Sequence, residues 1–202
     1  MNELALFAGA GLGLLASKWL LGHRIVCYVE KDWYRVEVLK ARIRDGYLDD
    51  APIWGDVGTF DGKPWRGCVD IVSAGFPCQP FASGGKRRGK EDERNGWPDT
   101  IRIIREVQPT WIFLENSPNI LNISRKYKQP SYFETLVEEL SEAGYMGAWG
   151  CLSASSLGAV HKRERVWVIA HAGEGGWEKF LRGNSSKCRA GIEKRLWGQF
   201  RT

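Results

Sequence analysis

The chain has 202 residues, 43% of them hydrophobic, and a formal net charge of +5. That composition supplies one full globular core and excludes a disordered chain, while no apolar run approaches the length that spans a bilayer, so no membrane contact is expected. Five cysteines without a CxxC pair exclude a disulfide framework and a structural zinc site, so we expect no metal and a reduced, cytoplasmic setting.

Met1-Asn2-Glu3 carries no basic leader and runs into a first strand, Leu4 to Phe7, followed by a helix from Leu12 to Leu21. Arg24 to Val29 reads as a second strand, and Val36, Leu39 and Ile43 recur at helical spacing. Ile53-Trp54 is a short third strand and Val69 to Ala74 a fourth. Pro98 to Val107 is a helix with Ile101, Ile104 and Val107 on one face. Trp111 to Leu114 is a fifth strand, Phe133 to Ala143 a helix closed by Gly144, Tyr145 to Leu152 a sixth strand and Val166 to Ala170 a seventh. Alternation of this kind predicts an α/β fold with a mostly parallel, doubly wound sheet of the Rossmann-like type.

In such a sheet ligands bind at the carboxyl ends of the strands, where strand order reverses. The unusual residues fall there. After the first strand come Phe7, Gly9, Gly11 and Gly13; after the second, Glu30, nineteen residues beyond Gly11; after the third, Asp56 and Val57; after the fifth, Glu115 and Asn116. A tight strand-to-helix turn explains the glycines as well as a cofactor does. Glu30 together with Asp56 favours a cofactor bearing a nucleoside, one acid for the ribose and one for an adenine amino group.

The fourth strand leads into Gly75-Phe76-Pro77-Cys78-Gln79-Pro80-Phe81. A free cysteine is most often core packing. Two prolines remove neighbouring backbone N–H groups and stiffen the turn, which suits a thiol aimed at the end of a sheet. Gly84-Gly85-Lys86-Arg87-Arg88 follows as a basic loop that a polyanion can reach, or as an ordinary solvated loop. Residues 173–202 hold seven Lys/Arg against three Glu, which suits a polyanionic partner or a solvated basic tail.

Taken together, Phe7 to Gly13, Gly75 to Phe81, Phe113-Leu114-Glu115-Asn116 and His161-Lys162-Arg163-Glu164-Arg165-Val166 resemble, in order and spacing, the cytosine-C5 DNA methyltransferase family. The resemblance spans roughly residues 4 to 170. It implies a fold of the S-adenosylmethionine-dependent methyltransferase type and methyl transfer from S-adenosyl-L-methionine to cytosine in double-stranded DNA, with the target base flipped out of the helix, as in restriction-modification systems. Cys78 would be the nucleophile, with Glu115, Arg163 and Arg165 as the other catalytic groups; Arg163 and Arg165 alternate on the edge of the last strand, so both are expected on one face. Phe7, Gly9, Gly11 and Pro77 would line the methionine part of the cofactor, Glu30 would take the ribose, Lys31 would lie near the adenine, and Asp56 with Val57 would read its edge. Gln79, Ser83, Lys86, Arg87 and Asn116 would meet the substrate.

Four departures stand out: Ala82 in place of a serine, Ser117 in place of a valine, His161 in place of a glutamine, and Gly96 where the family tends to carry an apolar cofactor contact. On this reading residues 1–172 form the catalytic domain and 173–202 a basic tail, with the target-recognition region missing and a second polypeptide as its expected source. An RNA cytosine methyltransferase and a non-catalytic remnant that binds cofactor or nucleic acid are the alternatives.

Overall fold

The computed structural model describes residues 1–77, 95–121 and 132–173, and the backbone of 197–200. In chain order the elements are β1 (Asn2–Leu6), α1 (Leu12–Leu21), β2 (Arg24–Val29), α2 (Trp33–Arg44), β3 (Ile53–Trp54), β4 (Ile71–Ala74), α3 (Trp97–Val107), β5 (Trp111–Asn116), α4 (Tyr132–Glu142), β6 (Tyr145–Ser153), β7 (Glu164–Ala172) and β8 (Trp197–Phe200). They fall into two compact units, Met1–Phe76 with Gly96–Ile112 and Pro77–Asn95 with Phe113–Thr202. Among the described residues no helix is long and apolar enough to cross a membrane.

Unit 1 is a parallel sheet in the order β3-β2-β1-β4. The chain steps outward from β1 through α1 and α2, then returns to the other side of β1 to lay down β4. The order therefore reverses at β1 and β4, and the crevice above their carboxyl ends is where a ligand fits an open α/β sheet. Leu4, Ala5 and Leu6 are all buried, as a central parallel strand requires. Gly11 and Gly22, both left-handed, bound α1, and the Asp32 carboxylate caps α2 by accepting the Arg35 N–H at 3.0 Å. Leu14, Leu39 and Leu48 close on Ala5, Ile25 and Tyr28 to form a core on one face.

One buried polar network interrupts that apolar interior. Glu3 on β1 takes the Ser73 hydroxyl from β4 at 2.5 Å and meets His23 Nδ1 at 2.8 Å, joining two strands to the turn between α1 and β2. Glu3 thus satisfies the Ser73 hydroxyl and His23 Nδ1, while His23 Nε2, also buried, has no hydrogen-bond partner among the described residues.

In unit 2 the strand order is β5-β7-β6-β8, with β6 antiparallel to both neighbours. The β6–β7 ladder runs from Tyr145↔Ala172 to Ser153↔Glu164. Gly147 is required within it, because a Cβ there would lie 2.2 Å from the Ile169 carbonyl oxygen. Phe133 and Leu136 of α4 are buried, Phe133 with its ring centroid 5.0 Å from that of Trp149 on β6. The α/β class with mostly parallel strands agrees with the sequence expectation. The strand β8 and the short 3-10 turns at Val57–Thr59 and Lys63–Trp65 were not anticipated.

Candidate active site

Unit 1 carries the predicted cofactor residues other than Pro77. At the carboxyl end of β1 the backbone turns through three left-handed residues, Phe7 at φ 52, Gly9 at φ 58 and Gly11 at φ 78. A left-handed phenylalanine is uncommon and marks a turn held by its surroundings. At Gly11 the demand is double: besides its φ, an added Cβ would meet Leu48 Cδ1 at 2.8 Å and Leu39 Cδ2 at 3.0 Å. The Ala8 N–H continues the ladder to the Val29 carbonyl at 3.0 Å, and Arg42 donates to the Ala10 carbonyl.

Glu30, just past β2 and 6% exposed, accepts the Gly9 N–H on Oε2 at 2.7 Å and the Asp32 N–H on Oε1 at 2.9 Å. It therefore fixes the glycine loop from below. Each carboxylate oxygen has a second lone pair, so the group retains acceptor capacity for a ligand hydroxyl. Asp56 accepts the Gly58 N–H at 3.0 Å through Oδ1 and leaves Oδ2 3.7 Å from Lys31 Nζ, with both side chains largely in solvent. Lys31 and Asp56 thus lie beside each other. Left-handed glycines, a buried carboxylate with spare lone pairs and a half-exposed carboxylate form a donor and acceptor set that fits a cofactor bearing a nucleoside.

Two further residues shape this site: Gly96, noted from the sequence only as a departure from the family, and Arg102, which sequence reasoning missed. Gly96, at the start of α3, is buried, and a Cβ on it would lie 2.7 Å from Phe7 Cζ and 3.0 Å from Phe76 Cβ. The two aromatic side chains occupy the room that a larger residue at 96 would need, which accounts for the glycine there. Arg102 on α3 donates to the Val57 and Phe60 carbonyls, each at 2.8 Å. Its signal lay in Asp99 and Glu106, three residues before and four after, the spacing of partners on one helix face.

In unit 2, Glu115 and Asn116 are the last two residues of β5, not residues after it as the sequence reading had them. Glu115 Oε1 lies 2.6 Å from Arg165 Nε, with both side chains about a third exposed. Alternation explains how they meet. Phe113 and Glu115 share one face of β5, Arg165 and Trp167 one face of β7, and the Phe113 and Trp167 rings stack at 5.2 Å. The aromatic stack and the ion pair are adjacent rungs between the same two strands. Asn116 is buried and turns its side-chain oxygen back to the Ser117 N–H at 2.8 Å.

Arg163 behaves differently from the expectation that it alternates with Arg165 along a strand. It precedes β7, is exposed and adopts φ 28, because the chain turns there before the ladder begins. Pro77 is exposed next to the buried Phe76. Cys78, Gln79, Ser83, Lys86 and Arg87 lie outside the described residues. Among the described residues no group of His, Cys, Asp and Glu is arranged to hold a metal ion.

Comparison with known proteins identifies the family and the fold. The family described as C-5 cytosine-specific DNA methylase matches residues 1–195. The Type II methyltransferase M.NgoMIV of Neisseria gonorrhoeae is 37% identical over 118 residues, covering 58% of this chain and 36% of the relative. M.Eco47II of Escherichia coli, also a Type II methyltransferase, is 31% identical over 173 residues, covering 83% and 38%. The chain therefore spans little more than a third of the length of these relatives. Among solved structures, a Spodoptera frugiperda DNMT2 mutant superposes with a TM-score of 0.65 at 22% identity, covering 86% of this chain and 50% of that one. A putative DNA modification methyltransferase encoded within an E. coli prophage gives a TM-score of 0.64 at 24% identity, covering 90% and 48%. At those identities the likeness shows the fold.

Proposed function

This chain belongs to the C-5 cytosine-specific DNA methylase family, and from that premise we propose that it methylates C5 of cytosine in DNA with S-adenosylmethionine as donor. The observation that supports this reading best is the 2.6 Å pair between Glu115 and Arg165, a carboxyl oriented at a strand end by a fixed guanidinium. When bound, the cofactor supplies a methyl group on a sulfonium, electrophilic enough for an activated carbon nucleophile. Phe7, Gly9, Gly11 and Pro77 hold its methionine part, Glu30 its ribose, and Lys31, Asp56 and Val57 its adenine.

C5 of cytosine is too electron-poor to attack unaided. The Cys78 thiolate adds to C6 of the flipped base, and the electron pair of the C5–C6 bond becomes available at C5. Glu115 faces ring N3 and shares a proton with it as charge develops there, while Arg165 holds the carboxyl through Oε1. After transfer a base removes the C5 proton, the double bond re-forms and the thiolate leaves. Arg163 contacts the flipped nucleotide, and Gln79, Ser83, Lys86, Arg87 and Asn116 bind base and phosphates.

The test is transfer of labelled methyl from S-adenosylmethionine to mixed-sequence duplex DNA, with RNA and Cys78→Ser in parallel, followed by nucleoside analysis. We expect 5-methylcytosine in DNA and none with the variant. Label in RNA alone moves the substrate to the RNA branch, and transfer that survives Cys78→Ser refutes the covalent step.

A further inference from the structure

We propose that Arg102 is a positioning residue for the adenine end of the cofactor site, and that α3 acts as the gauge that sets the distance between its two ends. The inference rests on the cofactor placement proposed above.

The segment that carries Asp56 and Val57 has a weak hold on the sheet, since β3 contributes only two residues, Ile53 and Trp54. Its own bonds shape it locally: Asp56 Oδ1 takes the Gly58 N–H, and Trp54 Nε1 donates to Thr59 Oγ1 at 3.1 Å. They do not locate it against the rest of unit 1. Arg102 does, because one guanidinium donates through Nη2 to the Val57 carbonyl and through Nη1 to the Phe60 carbonyl. Asp99 at 3.1 Å and Glu106 at 3.2 Å hold that guanidinium from the same helix, so its fork is aimed before it meets the loop. Glu106 Oε2 also accepts the Gly62 N–H at 2.8 Å, and Arg66 Nε donates to the Glu106 carbonyl at 2.9 Å. The run from Val57 to Arg66 is thereby tied to one helix.

The other end of that helix abuts Phe7. Gly96 sits so close to the Phe7 ring that no side chain fits between them. Six residues separate Gly96 from Arg102, about 9 Å along a helix axis. The helix thus touches Phe7, at the methionine end, and the carbonyl of Val57, at the adenine end, through rigid contacts. A shift of the Val57 carbonyl moves Asp56 and the Val57 N–H with it, because they share adjoining peptide units.

The experiment measures, for the full 202-residue chain, dissociation constants of S-adenosylhomocysteine and of S-inosylhomocysteine, in which a carbonyl replaces the adenine amino group. A carboxylate that accepts from the amino group prefers the adenosyl form roughly 10- to 100-fold. We expect Arg102→Ala to cut that preference below about 3-fold, by the loss of one aligned charged hydrogen bond. Arg102→Lys, which keeps one cation but no fork, should give an intermediate value. A merely structural role would weaken both ligands together and leave the ratio unchanged, and an unchanged ratio overturns the proposal. Circular dichroism checks that each variant is folded, and if Arg102→Ala is not, Arg102→Lys with the wild-type ratio overturns it instead. Asp56→Asn separates the two readings: if the wild-type chain shows no preference, or Asp56→Asn keeps it intact, the cofactor placement itself is wrong and the role of Arg102 falls with it.

Discussion

Gly96→Ala sets two opposed effects against each other. The backbone at Gly96 has φ −80 and ψ −6, which alanine adopts without strain, so the substitution gains about 0.4–1 kcal/mol by restricting the unfolded chain. Against this, the new Cβ would stand 2.7 Å from Phe7 Cζ, 3.1 Å from Phe7 Cε1 and 3.0 Å from Phe76 Cβ. Neither neighbour yields easily: Phe7 is held in a left-handed turn, and Phe76 is 4% exposed with its ring 5.6 Å from that of Trp97. Overpacking of this kind costs about 1–3 kcal/mol, so the clash wins and the net loss is roughly 1–2 kcal/mol. For a chain of this size that lowers Tm by about 2–8 °C. Calorimetry with and without S-adenosylhomocysteine reads both consequences, a lower Tm and a smaller stabilisation by ligand as Phe7 is displaced. A Tm equal to or above that of the wild type would refute the packing argument.

Gly147→Ala should be more damaging, because its Cβ meets the Ile169 carbonyl oxygen and Ala170 Cα, which are backbone and cannot rotate aside; we expect a loss above about 3 kcal/mol in urea unfolding, and a milder effect than that of Gly96→Ala would contradict it. Glu3→Ala strands His23 Nδ1 and the Ser73 hydroxyl in the interior at a cost of about 2–6 kcal/mol, whereas Glu3→Gln keeps hydrogen-bonding groups for both. Equal losses in the two variants would mean that the network does not bear on stability. Burial pushes the Cys27 thiol up from 9.0 to about 11. The unfolded chain therefore releases this proton first, so the contribution of Cys27 is intact below pH 9 and is lost as the pH rises through about 11, amounting to about 2–3 kcal/mol. Stability measured from pH 7 to 11 should fall less steeply in Cys27→Ala, and superimposable slopes would rule this out.

Much of unit 1 was legible because its signals are local. Strand ends that stop at Phe7, Glu30 and Asp56 announce themselves by composition, and left-handed glycines follow from the short turn between β1 and α1. Other features depend on neighbours that the sequence does not display. Alternation put Arg163 on a strand face, but the strand starts one residue later, after a turn at φ 28. The strand β8 lies in a basic, Gly- and Ser-containing stretch and exists by pairing with β6, far upstream. In the sequence nothing but the spacing of Asp99 and Glu106 sets Arg102 apart from any charge on the polar side of an amphipathic helix, and the Val57 and Phe60 carbonyls distinguish it in the structure. Glu115 and Arg165 were each named from the family resemblance but not as a pair; their pairing, beside the Phe113–Trp167 stack, follows from period-two alternation on two strands that the sequence does not show to be neighbours.

The two units hold their candidate functional groups by different physical means, and under the function proposed above the difference follows from what each would grip. A cofactor with a nucleoside and an amino acid offers hydroxyls, an amino group and charged termini along an extended shape. Unit 1 would meet that with backbone N–H groups and carboxylates on several strand ends, braced from within the unit, as Glu30 braces Gly9 and Arg102 braces Val57. A flipped base offers one ring with a few polar atoms, and what matters is the angle at which a carboxyl faces it. For that role unit 2 would offer the Glu115–Arg165 ion pair, locked beside an aromatic stack, where strand geometry removes rotamer freedom that a glutamate without such neighbours would keep. In both cases the polar group is aimed by bonds made inside its own unit, so the cost of ordering it is met during folding and not at the moment of binding.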